Sequence, residues 1–190
     1  YADMTLPSAP NVSQTSKINS LYEPEAPLSR RAAHRWGTDL AVGRVPEQFP
    51  LILQGPLAFG WKPNGSFPKP YIENGAISDR TLPSLARLEK WVSAGIRVKG
   101  REDWVFIKLH CHGMDPDDRE SMLGEPMREF LQTVIGISKE SGEFALHFVT
   151  AREMANIALA ACDGKQGNPG DYRDYRLRLI TAPKAGCLPS

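Results

Sequence analysis

The sequence is short of cysteine, has no long apolar run and carries almost no net charge. Each shortage narrows what the chain can be. Its three cysteines, Cys111, Cys162 and Cys187, are odd in number and far apart, with no CxxC pair. That spacing indicates neither a zinc knuckle nor a disulfide framework, and reduced thiols are the simpler reading. No apolar stretch approaches the roughly 20 residues that a membrane-crossing helix needs, so no membrane span is expected. Lys and Arg number 23 against 22 Asp and Glu, a balance that gives no electrostatic footprint for nucleic acid or for an anionic bilayer. A phosphate loop, a GxSxG elbow, a dinucleotide fingerprint and an internal repeat are missing as well.

What is present is one domain's worth of chain, residues 1–190, long enough to bury a substantial core. Residues 6–81 are rich in Pro, Gly, Ser and Asn and are expected to be loop. Only Phe49–Gln54 (FPLILQ) reads as a buried strand there. The large side chains Leu21, Tyr22, Trp36, Phe59, Trp61, Phe67 and Tyr71 are too many for a disordered linker, so this region is expected to cover a surface in layers. The opening YADMTLPSAP resembles the end of a strand running into a loop. With Tyr rather than Met at position 1, the chain is expected to be processed or part of a longer one.

Residues 82–163 are regular. Leu85, Leu88, Trp91 and Val92 predict a helix over 82–94, with Thr81 as N-cap and Gly95 as stop. Asp117 is placed to cap a short helical turn ending at Gly124. Pro126 suits the first turn of a further helix, in which Met127, Phe130, Leu131, Val134 and Ile135 fall at helical spacing. Thr150-Ala-Arg-Glu153 fits a capping box, and Met154, Ile157, Ala158 and Ala161 continue the helix that it opens as far as Gly164. Strands are predicted at 104–110 and 144–149. This helix–strand alternation implies parallel strands with right-handed helical crossovers. Residues 164–190 read as a polar tail with a weak strand or turn at 175–180.

In α/β folds of this kind ligands gather at the carboxyl ends of strands, and three candidate ends qualify: Asp3–Thr5, His110–His112 and Thr150–Glu153. The segment WVFIKLHCHGM (104–114) alternates as a strand should, so His110 and His112 would share a face. Such a pair could bind a metal with a further ligand from Asp3, Asp115, Asp117 or Asp118. Alternatively, one imidazole could act as a general acid. Asp3 and Thr5 could contact substrate hydroxyls or orient a histidine. Arg152, on the first turn of its helix, has no evident structural task and could touch a ligand, whereas Glu153 is accounted for by the capping box. Glu73-Asn74-Gly75 reads first as a turn, though it could offer polar groups to a sugar. Trp36, Trp61, Tyr71 and Tyr22 could stack on sugar rings, although aromatics under a long loop are more often core.

Two segments carry a family resemblance. FIKLHCHG (106–113) contains Leu109-His110, and HFVTAREMANIA (147–158) reads as a closing strand and helix. Together with YADMTLPSAP and KINSLY (17–22), they resemble the C-terminal portion of the polysaccharide deacetylase-like (NodB-type carbohydrate esterase) family. The resemblance implies an α/β fold, part of a (β/α) barrel of the glycoside hydrolase/deacetylase type with a long irregular loop region. It also implies a hydrolase that removes acetyl groups from an N-acetylated polysaccharide, in proteins associated with bacterial surface polysaccharide. His110 would be the acid that protonates the leaving amine, and Leu109 would line the acetyl pocket. A divalent metal, zinc or similar, is implied too. The chain has neither the family's early aspartate pair nor its HxxxH motif, so the metal ligands are expected outside it and the isolated chain is expected to be inactive. The alternative is a non-catalytic glycan-binding or scaffold module derived from the same barrel.

Overall fold

In the computed structural model, which describes residues 15–27, 30, 33–62, 64–112 and 116–177, the Pro- and Gly-rich first half is not one long loop. It holds five short strands. β1 (Leu21–Pro24) is the centre of an antiparallel sheet, flanked by β2 (Gly37–Asp39) and β3 (Ile52–Leu53). Tyr22 lies opposite Asp39 on one side, and Leu21 opposite Leu53 on the other. β1 is buried along its length because both neighbours and the core close on it. Pro24, which lacks an N–H to extend the ladder, is its last residue. The predicted strand 49–54 shortens to two paired residues, although Leu51 through Gln54 are all buried.

β4 (Ala58–Lys62) and β5 (Lys69–Glu73) form a separate antiparallel hairpin. Gly60 is required in it, because a Cβ there would come within 2.5 Å of the Tyr71 ring, which lies across the strand at that point. Phe59 and Trp61 sit opposite Ile72 and Pro70, so these four share one face. Phe59, Trp61 and Ile72 are all exposed on it. The expected layer of aromatic anchors therefore divides. Leu21 and Tyr22 are core, while Trp36, Phe59, Trp61 and Phe67 face solvent.

The helices follow the sequence pattern closely. α1 (Leu85–Ser93) is capped by Ser84, whose Oγ accepts from the Arg87 N–H. The expected cap, Thr81, instead pairs with Ser78 through backbone and hydroxyl groups. A 3₁₀ turn at Pro116–Asp118 leads into α2 (Arg119–Leu123), and α3 (Glu125–Ser141) has Pro126 in its first turn. α4 (Ala151–Cys162) opens with the predicted capping box, in which Thr150 and Glu153 each accept the other's N–H. Residues Ala155 to Cys162 of α4 are all buried, so the helix is enclosed on every side rather than on one stripe. Its small residues make that close approach possible. It packs with Leu21, Leu40, Leu51, Leu53, Ile96, Val98, Trp104 and Phe106 in one core. Among the described residues no helix is long and apolar enough to cross a membrane.

The two strands predicted in the second half, 104–110 and 144–149, are not seen as strands among the described residues. Residues 104–109 and 144–149 have no ladder partner among the described residues. The first segment is held at separate points: the Phe106 N–H donates to the Ile96 carbonyl, and His110 makes an isolated parallel bridge to Ala76. In the second, the Phe148 carbonyl accepts from the Arg173 guanidinium instead of a strand neighbour. Period-2 patterning makes a segment extended, but a strand also needs a second chain in register. The parallel sheet expected from helix–strand alternation is therefore not formed by these two segments among the described residues, and the two sheets present are antiparallel.

Candidate functional site around His110

His110 is held by its backbone. Its N–H donates to the Gly75 carbonyl at 3.1 Å, and its carbonyl accepts from the Ile77 N–H at 2.8 Å. The segment 73–77 that grips it is itself clamped. The Glu73 carboxylate is buried and receives a two-point contact from Arg87, Nε to Oε2 and Nη2 to Oε1, both 2.7 Å. Trp91 Nε1 and the Gly75 N–H donate to Oε1 as well, at 3.0 and 2.9 Å. The remaining N–H groups of Arg87 go to the carbonyls of Ala76, Thr81 and Leu82. All five guanidinium donors are thus committed. Asn74 Oδ1 accepts from the Ala76 N–H at 3.1 Å. Glu73, read with Asn74 and Gly75 as a turn, is instead the last residue of β5, and the Glu73 and Asn74 side chains each accept the N–H two residues on. The partners that fix it, Arg87 and Trp91 on α1, were not anticipated. They lie one turn apart on a helix face, a spacing that also serves ordinary packing.

Among the described residues, the charges that shift His110 are positive. Burial lowers its pKa first, and the positive charges of Lys108, His112 and Arg87 lower it further. Burial also pulls Lys108 down to about 8. For Glu73 burial alone would raise the carboxyl, but the hydrogen bonds from Arg87, Trp91 and Gly75 outweigh it and hold the group below its usual range. The imidazole of His110 is half-buried, and its Nδ1 has no hydrogen-bond partner among the described residues. Buried polar atoms are nearly always paired, so this ring nitrogen is open to a water or a ligand.

The other candidates fall in different places. Leu109 is half-buried beside His110, and His112 is exposed two residues on. Asp3 and Thr5 lie outside the described residues, as does Asp115. Arg152 has a structural task after all: it pairs with Asp174 at 2.6 Å and donates to the carbonyls of Arg173 and Leu177. Asp117 is exposed, and Asp118 is buried with its Oδ1 accepting the Asp79 N–H. Among the described residues no three His, Cys, Asp or Glu side chains are grouped to hold a metal ion. The described residues therefore do not make the metal site that the resemblance implies. Comparison of the chain with family models, with curated proteins and with solved structures gives no match.

Proposed function

We propose that this chain is the C-terminal portion of a polysaccharide deacetylase-like hydrolase, part of a (β/α) barrel, acting on an N-acetylated surface polysaccharide. The observation that carries the proposal is His110: gripped through both backbone groups, next to Leu109, with a ring nitrogen that has no partner among the described residues. In this reaction water adds to the acetyl carbonyl carbon, the carbon–nitrogen bond breaks, and acetate leaves with the water's oxygen. The sugar amine takes the proton that His110 gives up, and His110 recovers one from the water. Leu109 would border the acetyl methyl. Any divalent metal would be held by residues outside those described.

The test is acetate release from N-acetylated oligosaccharides by the natural protein that contains this chain, with and without His110→Ala. General acid catalysis contributes on the order of 10²–10⁴-fold, so the variant should lose about that much in kcat while still binding the sugar. The chain of 190 residues by itself is expected to release no acetate. Full activity in His110→Ala would remove the acid role.

A specific observation also favours the non-catalytic reading. Trp36 lines an open recess of about 490 Å³ together with Glu25, Gly37 and Thr38, and Phe59 meets Trp61 edge-on at 5.4 Å on the exposed hairpin face. Exposed aromatic faces beside a carboxylate and a hydroxyl suit sugar rings. None of the residues lining the recess belongs to the segment that grips His110. Under this reading the natural protein binds glycan and releases no acetate, and Trp36→Ala or Trp61→Ala weakens binding while His110→Ala does not.

A further inference from the structure

The hairpin of β4 and β5 turns its large apolar side chains away from the core. Phe59, Trp61 and Ile72, on the face that they share with Pro70, are each more than half exposed. Phe67, near the tip, is 81% exposed, the highest value of any large apolar side chain among the described residues. These side chains stand on an ordered frame. The strands pair from Ala58 opposite Glu73 to Lys62 opposite Lys69. Phe59 meets Trp61 edge-on, and the Phe67 N–H donates to the Asn64 carbonyl at 3.3 Å in the connection. Holding aromatic rings in water runs against the hydrophobic effect, and neighbouring exposed apolar groups of this kind mark an interaction surface.

Charge at this place is one-sided. From Gln48 to Ile72 the sequence has no Asp or Glu, and it carries Lys62 and Lys69. The even balance of the whole chain therefore conceals a local excess. Both lysines are exposed, and they are direct cross-strand partners at the end of the ladder next to the connection. Like charges in that relation repel, and an anionic partner would relieve the repulsion. Lys62 lies over the Tyr71 ring at 4.5 Å, a contact that keeps its ammonium positive. Neither lysine has an acidic partner among the described residues. A sugar ring would use the aromatic faces and leave both ammonium groups without a counter-charge. A lipid surface uses both features, because aromatic rings settle at the level of the headgroups and lysines meet the lipid phosphates. The shape agrees: residues 64–70 are all exposed, so the tip offers a partner a projection to close around and no groove.

We propose that the β4–β5 hairpin docks on an anionic phospholipid surface, with Phe59, Trp61, Phe67 and Ile72 at the level of the headgroups and Lys62 and Lys69 against the phosphates. The hairpin lies on the bilayer and does not cross it. The inference does not rest on the hydrolase reading. It competes with the glycan-stacking reading for Phe59 and Trp61, so the two are separable by experiment.

Co-sedimentation of the chain with vesicles decides the matter, with phosphatidylcholine alone set against an equimolar mixture with phosphatidylglycerol. The chain should bind the anionic vesicles about 10-fold or more tightly than the neutral ones, because each lysine near an anionic leaflet contributes about fivefold. The double variant Lys62→Gln/Lys69→Gln should cut that preference to about threefold or less, and added salt should reduce it as well. Trp61→Ser and Phe67→Ser should each weaken binding to the anionic vesicles by about fivefold or more. Leu123→Ser, at another highly exposed apolar residue, should not. All of these side chains are exposed, so the urea midpoint should stay close to that of the parent. Trp61→Phe gives a positional readout: it should still bind, yet lose most of the quenching of tryptophan fluorescence by brominated lipid. Absence of binding to the anionic vesicles overturns the proposal, as does binding that ignores both lysines or falls equally in Leu123→Ser. Quenching undiminished in Trp61→Phe overturns it too, because another part of the chain would then meet the lipid. Chitotetraose bound through Trp61 with no vesicle binding would assign the face to glycan. Dimerisation lost in Trp61→Ser, again with no vesicle binding, would assign it to a second copy. Either result overturns the lipid proposal.

Discussion

His110 is a histidine whose charge is disfavoured by burial and by three positive neighbours among the described residues. Burial acts first and Lys108, His112 and Arg87 follow, so its folded pKa lies below the ordinary imidazole value of 6.5. The sign of the linkage is fixed by that direction. In the window between the two values the unfolded chain binds more protons than the folded one, so stability rises with pH. The contribution is fully present above about 6.5 and is lost as the pH falls through the lowered folded value. Imidazole proton resonances followed by NMR should therefore show His110 titrating below 6.5. Lys108→Gln should move the midpoint up, though not fully back, because burial remains. A midpoint at or above the ordinary value would contradict the charge arrangement described here. The sequence points to the histidine pair, since alternation along WVFIKLHCHGM sets His110 and His112 two residues apart. It could not show that Arg87, 23 residues earlier by number, belongs to the same place, because that depends on how α1 meets segment 73–77.

At the scale of elements, the Glu73–Arg87 contact is what joins α1 to the segment that grips His110. Both side chains are largely withdrawn from solvent, Glu73 at 3% and Arg87 at 12% exposure. Breaking a buried pair by removing one partner strands the other charge, which typically costs about 3–5 kcal/mol. Arg87→Leu is expected to lower stability by about that much in urea unfolding. Arg87→Lys should lose most of it too, because an ammonium cannot reproduce the two-point contact and the three carbonyl bonds. The double variant Glu73→Gln/Arg87→Leu should be less damaging than Arg87→Leu alone. If the single and double variants are equally stable, the pair does not act as a unit. Local elements were legible where their signal is local. The Thr150 and Glu153 capping box and Pro126 in the first turn of α3 need only neighbours in the chain, and both are found. Alternation alone reads 104–110 and 144–149 as strands, but pairing is decided by distant residues. Conversely, β4 and β5 escaped notice because their alternation puts Phe59, Trp61 and Ile72 outward, which does not look like a half-buried strand.

At the scale of the molecule, the residues read as a polar tail turn back and lock α4 in place. Tyr175 and Arg176 both reach Asp163 at the end of that helix, and Tyr172 packs on Trp104 and Tyr175 at the core's edge. The centre of the lock is Asn156, which is fully buried. Its Nδ2 donates to the carbonyls of Arg173 and Leu177 at 2.7 and 2.8 Å, and its Oδ1 accepts the N–H groups of Arg176 and Leu177 at 3.0 and 2.6 Å. Every hydrogen-bonding position of the amide is filled. The polar composition of 164–177 could not announce this, because the bonds run through its backbone, to which composition is blind. Two substitutions separate a lock from a decorated surface. Asn156→Ala leaves the N–H groups of Arg176 and Leu177 to find water or remain unpaired, while the Arg173 and Leu177 carbonyls keep Arg152 as a donor, and should cost roughly 2–3 kcal/mol, the range for a lost buried polar partner. Arg176→Ala removes a partly exposed ion pair with Asp163 and should cost no more than about 1 kcal/mol. Native-state hydrogen exchange adds the local readout. In Asn156→Ala the amides of Arg176 and Leu177 should exchange faster than those in the middle of α3, because the segment opens before the helices do. Were the segment a passive tail, both variants would match the parent in stability, and the Arg176 and Leu177 amides would already exchange freely in the unaltered protein.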